Sequence, residues 1–292
     1  MSDRIKPKQV FGFLRNMQVE TIKRQRELWA REVVADYRDG KAEKALSVLE
    51  KKGLLNFSDN AEQTKISIID KWNNYRINNP DKKSLLLAQR WQDVMQLNDK
   101  VRSILQAEGQ IDNKDILLKC FVSGKTFTTN FAIGDRIRLT KNDYSKQLSN
   151  GDIGDIIDIQ EQTDGSHNFK VKLDNGNKVI INTDEYCNND GYVYLTQAYA
   201  MTVFSSQGLT IDGDTFIYYT SGMDRANTYV ACSRQKDNCH LFINKNEFDS
   251  ECNVSLINNL STSMSRENKR VMATEYLDKS REVENVYERE FY

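Results

Sequence analysis

The chain has 292 residues, 39% hydrophobic and 28% charged, with two prolines and a net charge of −1. That is enough apolar material for one or two cored domains, but it excludes a global positive field for holding nucleic acid, so any such binding must use local basic patches. With two histidines, His167 and His240, and five cysteines without a C-x-x-C pair, a histidine-cluster metal site is excluded and reduced thiols of a cytoplasmic protein are expected.

The first residues, "MSDRIKPKQVFGFLRN", lack the apolar core of a signal peptide, and no apolar run approaches membrane-spanning length. "ETIKRQRELWAREVVADYRDG" predicts a helix with Ile22, Trp29, Val33 and Tyr37 near one face. "KAEKALSVLEKKG" predicts another, with Ala42, Ala45, Leu46 and Leu49 inward and Gly53 as its stop. A third starts at "NAEQ", where Asn60 caps and Gln63 completes a capping box, and it runs through Ile66, Ile69 and Trp72 toward Pro80. Residues 1–80 therefore read as a helical lead-in. "SLLLAQ" at 84–89 has the signature of a buried parallel strand. "WQDVMQLNDKVRSILQAEG" follows with Val94, Leu97, Val101, Ile104 and Leu105 at helical spacing, so strand then helix opens an α/β unit.

"FVSGKTFTTNF" at 121–131 contains the ending of a phosphate-binding P-loop. The full loop needs a glycine five positions before Gly124, so that backbone N–H groups wrap the phosphates unobstructed, and Lys119 stands there. A P-loop also opens a helix, whereas Thr126 leads into β-branched and aromatic residues that read as strand, turn, strand. The motif is a decoy. From about Asp115 to about Thr196 the pattern is almost all β: "GDRIRLT", "GDIGDIIDIQE", "NFKVKL" and "KVIIN", with Asn175-Gly176 as a tight hairpin turn. "VIINTDE" at 179–185 imitates an apolar strand ending in a magnesium-holding Asp-Glu, but it lies in this β-rich stretch, away from any α/β strand end. "YAMTVFSSQG", "DTFIYYT" and "CHLFIN" then resume the buried-strand signature, with a helix at 223–234 between the last two. The expected architecture is an α/β domain with a parallel sheet, split into 81–120 and 195–245, interrupted by a small β-barrel at 121–194 and followed by a polar, helical tail at 246–292.

Three stretches, in this order, resemble one family. "IKRQRELWAREVV" with "SLLLAQRWQDVMQLNDKVRSIL" is similar to the segment that leads into and opens the second motor domain of superfamily 1 DNA helicases of the RecD-like branch. "GDRIRLTKNDYSKQLSNGDIGDI" resembles the small barrel inserted there, with its N-G-D-x-G turn. "YAMTVFSSQGLTIDGDTFIYYTSGMDRANTYVACSRQKD" resembles the last two motifs, Y-A-x-T-x-H-x-x-Q-G-x-T and T-Y-V-A-x-S-R. Within the branch the likeness is to TraA-type conjugative-transfer relaxase–helicases, where "GMDR" precedes the last motif and a tail like "SMSRENKRVMATEYL" follows it. The resemblance runs from about residue 20 nearly to the end, and the last motif pair is its specific part.

The resemblance implies a RecA-like fold and the C-terminal motor domain of an ATP-dependent helicase moving 5′-to-3′ in conjugative DNA transfer, with ATP and Mg2+ as cofactors and single-stranded DNA as partner. In such motors an arginine arriving from the second domain meets charge that develops on the γ-phosphate. Arg234, near the end of a helix packed through Met223, Ala226 and Val230, matches the family's arginine, and its head should face a cleft with its stem over apolar surface. Arg24 matches the earlier segment's arginine, although a plain solvated helix face accounts for it equally well beside Lys23 and Arg26. Gln207 and Gly208 are implied at the nucleotide, where glycine admits close backbone approach. Thr202, Ser205 and Ser206 offer hydroxyls to DNA phosphates, and Asn150 of the N-G-D-x-G turn joins them on the DNA side. Two departures stand out: the family's histidine is Phe204 here and its frequent lysine is Ser205. Phe204 either packs in the core, the favoured reading, or stacks on a base.

The P-loop, the magnesium carboxylate, the helicase glutamine motif and the relaxase histidines have no counterpart in the 292 residues. Activity is then expected to need the first motor half or the conjugative transfer complex as partner. The alternatives are a non-hydrolysing module binding single-stranded DNA or protein, or an inactive remnant. Alone, the chain should hydrolyse ATP at background and bind single-stranded DNA weakly, with a shallow salt slope.

Overall fold

A computed structural model describes residues 22–248 and 253–267. The lead-in forms α1 (Leu28–Arg38), α2 (Ala42–Lys51), a short strand β1 (Leu55–Ser58) and α3 (Ala61–Asn78). Asn60 caps α3, its side chain accepting from the Gln63 N–H at 2.9 Å. Ile68, Ile69 and Trp72 turn inward, whereas Ile66, expected on the inner face, is exposed. β2 (Lys83–Ala88) and α4 (Trp91–Ala107) follow as the sequence predicts.

The chain then leaves for the insertion. β3 (Ile116–Val122) and β4 (Lys125–Phe131) pair as an antiparallel hairpin. β5 (Arg136–Leu139), β6 (Ile153–Glu161), β7 (His167–Leu173), β8 (Lys178–Asn182) and β9 (Leu195–Gln197) form an antiparallel sheet in the order β8-β7-β6-β5-β9. Hairpin and sheet close over one core, in which Phe131 of β4 meets Phe169 of β7 with ring centroids 6.1 Å apart. β10 (Ala200–Thr202) returns to the parallel sheet, followed by β11 (Gly213–Tyr219), α5 (Arg225–Ala231), β12 (Cys239–Asn244) and α6 (Asn253–Ser265).

The parallel sheet has the order β1-β12-β11-β2-β10. Strand side chains alternate between its faces. Leu85, Leu87, Ile217, Tyr219, Leu241 and Ile243 pack toward α1, α2, α5 and α6. Leu86, Ala88, Phe216, Tyr218 and Phe242 pack toward α3 and α4. Burial on both faces is why these strands read as continuous apolar runs.

Three sequence expectations need correction. The helix expected from residue 18 starts at Leu28 (residues 18–21 lie outside the described set), because 22–27 is an irregular, bent segment held on the 233–237 loop, the Arg26 N–H donating to Lys236 O at 2.8 Å. The lead-in is not purely helical: "LNFS", too short to carry a period, becomes the sheet's edge strand beside β12. The helix expected at 223–234 spans Arg225–Ala231, capped by Asp224, whose side chain accepts from the Asn227 N–H. Of the tail, α6 is helical to Ser265, and the calls for 268–292 lie outside the described residues.

The insertion leaves and re-enters at one point. Asp135, fully buried on the outgoing passage, accepts from Arg102 Nε of α4 at 3.0 Å and from the Tyr199 hydroxyl of the returning passage at 2.9 Å. Asn98 of α4 fixes the same crossing, its Oδ1 accepting from the Tyr199 and Ala200 N–H groups at 3.1 and 2.7 Å.

Candidate functional site

The P-loop look-alike is the tip of the β3–β4 hairpin. Ser123 and Gly124 both have positive φ, 50° and 81°, as a two-residue hairpin turn requires. The N–H groups there belong to a turn rather than to a phosphate cradle, and Lys125 starts β4, exposed. "VIINTDE" is β8 and the turn after it, where Glu185 pairs with Lys146.

The last two motif stretches meet in the structure. After β10 the chain makes a single turn of 3-10 helix at Phe204–Ser206 and crosses back toward the start of β11, where the Ile211 N–H donates to Arg234 O at 2.9 Å. That contact brings the first motif's loop against the second motif's arginine. Arg234 lies past the end of α5 and is only 8% exposed, so its head is buried rather than facing an open cleft. Its Nε donates to Val230 O at 2.9 Å and its Nη2 to Ser233 Oγ at 2.7 Å, and Nη1 lies 3.5 Å from Ser206 O.

Arg24 reaches the same place from the irregular segment before α1, donating to Ser233 O. It is not on a solvated helix face. Two neighbours hold it there, Gln25, which the sequence reading passed over, and Arg26, which it took only as part of a charged run. Gln25, fully buried, donates through Nε2 to Gln235 O at 2.9 Å and keeps a buried Oε1 without a partner. Arg26 is clamped by Asp212 and Asp237. The helical pattern of the surrounding sequence hid both, and a polar triplet Arg24-Gln25-Arg26 just before a helix start was the available signal.

Arg26, Arg76, Arg90, Arg102, Arg136 and Arg225 each hold a carboxylate. Arg24 and Arg234, like Arg31 and Arg266, hold backbone carbonyls or a hydroxyl instead, and what is particular to the pair is that both reach Ser233. Burial, and then the nearby charge of Arg24, hold the Arg234 guanidinium below the ordinary arginine value. Two cations kept side by side without a counter-ion form a site for an anion.

The loop's other residues divide. Phe204 is 76% exposed, so the favoured core packing does not occur. The reason is local: Val203 takes the inward position and the Val203 N–H joins the sheet through Ala88 O at 3.0 Å, which turns the next side chain out. Thr202 Oγ1 accepts from the Ser205 N–H at 3.1 Å and lies 2.9 Å from Ser205 Oγ, both residues half-buried. Ser206 is turned inward, its Oγ donating to Val203 O at 2.7 Å. Gln207 and Gly208 are exposed, and Gly208 has φ +86° with open space around it, a conformation that favours glycine for its backbone rather than for a tight contact. Asn150 stands apart on the β5–β6 turn of the insertion, exposed, with its N–H donating to Asn142 Oδ1 at 2.7 Å.

No family model matches the sequence. It is 28% identical over 242 residues to the conjugal transfer protein TraA of Rhizobium radiobacter, covering 79% of this chain and 20% of that protein. It is 29% identical over 234 residues to the TraA of Agrobacterium fabrum, covering 77% and 19%. The fold is similar to that of the Pif1 helicase from Candida albicans, with a TM-score of 0.50 and 14% identity over 83% of this chain and 60% of that one. The chain is thus a distant homologue of TraA conjugal transfer proteins, spans about a fifth of their length, and carries a RecA-like parallel sheet with an antiparallel insertion.

Proposed function

We propose that this chain acts as the second RecA-like domain of an ATP-dependent DNA motor of the conjugal-transfer type, opposite a first motor domain in the same polypeptide or in a partner. The carrying observation is the pair Arg24 and Arg234, joined through Ser233 and held without a carboxylate. The pair fits the terminal phosphates of ATP, which would supply the transferable phosphoryl group. Among the described residues no cluster of three metal-ligating side chains occurs, so the residues here do not fit Mg2+ and its ligands are assigned to the facing domain.

The chain's own contribution is positioning and charge. Val230 O and Ser233 Oγ fix the plane of the Arg234 guanidinium, and Gln25 and Arg26 fix the approach of Arg24. When the facing domain closes, both cations meet negative charge that grows on the phosphoryl oxygens in the transition state, which lowers the barrier more than it strengthens ground-state binding. On the other side of the same loop, Phe204 presents a ring for a base, and Thr202 and Ser205 present hydroxyls for phosphates, contacts independent of sequence. A shift of this loop on closure moves the DNA contacts and the Ser206–Arg234 contact together.

The test combines the chain with the P-loop domain of a TraA relative and measures DNA-stimulated ATP turnover. Arg234→Lys should lower kcat by about a thousandfold, the smaller end of what a transferred arginine contributes, with nucleotide binding nearly unchanged. Unaltered turnover in that variant would remove the motor reading.

A further inference from the structure

β8 ends the insertion's antiparallel sheet, with β7 on one side and, among the described residues, no strand on the other. Its register sets Lys172 against Lys178, Lys170 against Ile180 and Asn168 against Asn182. Just beyond the two ends of that register the Leu173 N–H donates to Asn177 O at 2.8 Å and the Thr183 N–H to His167 O at 3.0 Å. Bonded and unbonded pairs alternate along an antiparallel ladder, so the N–H and C=O groups of Lys178 and Ile180 point away from β7. No other described segment bonds to them. Asn182, next in that row, is engaged, its O accepting from the Tyr186 N–H at 3.0 Å.

The side chains beside this edge are charged at the fold's expense. Phe169, Val171 and Ile181 fill the insertion's core, which sends Lys170, Lys172, Lys178 and Ile180 outward, all exposed, Ile180 at 61%. Lys172 and Lys178 stand directly opposite each other, and like charges so placed destabilise a sheet. The acids across from the lysines on β6 are engaged elsewhere. Asp155 is held by Arg136, and Asp158 accepts from Gln160 Nε2 at 3.0 Å.

We propose that the free edge of β8 receives an extended acidic segment of a partner protein as a sixth strand, with a carboxylate beside Lys178 and an apolar side chain beside Ile180. Strand addition takes its affinity from main-chain bonds and its specificity from alternate side chains. Lysines on a sheet edge guard against pairing with a second copy, and the same lysines attract a strand of opposite charge, so the guard selects the partner. A phosphodiester backbone offers acceptors only and leaves the edge carbonyls without donors, whereas a peptide answers both kinds of group. The inference is independent of the motor reading.

The full chain is titrated by calorimetry with a capped synthetic peptide in which glutamate and valine alternate, each separated by threonine, and with the same peptide carrying lysine for glutamate. The glutamate peptide should bind, more weakly as salt rises, and the lysine peptide should not. Lys178→Glu should weaken the glutamate peptide about tenfold, as one cross-strand pair turns from attraction to repulsion. Ile180→Pro removes an N–H that faces solvent, which an edge strand tolerates, and should abolish binding with an unchanged thermal melt; if that variant melts early, Lys178→Glu decides alone. Equal binding of the two peptides, no binding of either, or full binding of the glutamate peptide to a folded Ile180→Pro would overturn the proposal. An oligothymidylate that displaces the glutamate peptide would overturn it too, by giving the lysines to nucleic acid. So would a wild-type dimer in sedimentation that Ile180→Pro dissolves, since a second copy would then hold the edge.

Discussion

Replacing Arg234 by alanine removes one half of the unneutralised pair, and its cost follows from the contacts. The bonds to Val230 O at 2.9 Å and Ser233 Oγ at 2.7 Å count, whereas the approach to Ser206 O at 3.5 Å is too long to add much. Two bonds from a charged donor contribute about 3–6 kcal/mol, offset in large part by relief of a buried cation from its neighbour Arg24. The net loss should be about 2 kcal/mol, or about 4–8 °C in Tm for a domain of this size. Arg234→Ala should therefore fold and melt moderately earlier, unlike the near-neutral change expected of an exposed arginine. An anion reveals the site directly. Tripolyphosphate at ten times its Kd should stabilise the wild-type chain by about 1.4 kcal/mol, since ligand binding to the folded state adds RT ln(1 + [L]/Kd). That shift should be lost in Arg234→Ala and reduced in Arg24→Ala. Scanning calorimetry with and without the anion reads both quantities. Equal anion-induced shifts in wild type and Arg234→Ala would refute the reasoning, because the pair would then have no special affinity for negative charge.

Three further outcomes are expected. Lys65 and Asp93 form a 2.6 Å ion pair between α3 and α4, each side chain about 8% exposed; Asp93→Ala should cost about 3–5 kcal/mol by stranding the ammonium, and chemical denaturation of Lys65→Met/Asp93→Leu should recover most of it. Arg26 holds the Asp212 carboxyl below the ordinary carboxylate range, so its contribution is present above the unfolded-state value and is lost as pH falls through the folded one; hydrogen exchange at the Arg26 amide should accelerate in that acid window while the β11 amides stay protected. Burial, followed by Asp184, pushes the Cys187 thiol up, and burial pushes Cys120 to about 12; iodoacetamide at neutral pH should label half-exposed Cys187 slowly, faster as pH rises, and leave buried Cys120, Cys232 and Cys239 intact, by mass spectrometry.

The parallel strands and long helices were legible because each carries enough residues to show a period, as in Leu85 to Ala88 or Val94 through Leu105. "LNFS" was not, since four half-buried residues at a sheet edge alternate over too short a span. Arg24 was legible as a residue type at a motif position, but its surroundings were not: a helical pattern was extended through 22–27, and what overrode it is tertiary, the backbone bond to Lys236 and the clamp on Arg26. Phe204 was misplaced for a related reason. Hydrophobicity predicts burial on average, yet at a strand end the side chain follows the backbone turn that Val203 begins.

The meeting of Asp135 and Tyr199 also bears on how the chain reaches its fold. β10 finds its place beside β2, and Asn98 must bind Ala200 across 102 positions of sequence. The Asp135–Tyr199 contact spans 64 of those positions, so an insertion that has already folded brings its own ends together and leaves fewer than half of them to be closed. Loop-closure entropy grows with the logarithm of length, so the shortening is worth about 1 kcal/mol to the search. The larger effect is on order. A strand of three residues has little pairing of its own, so where the insertion closes first it presents β10 to β2 with its ends already near one another.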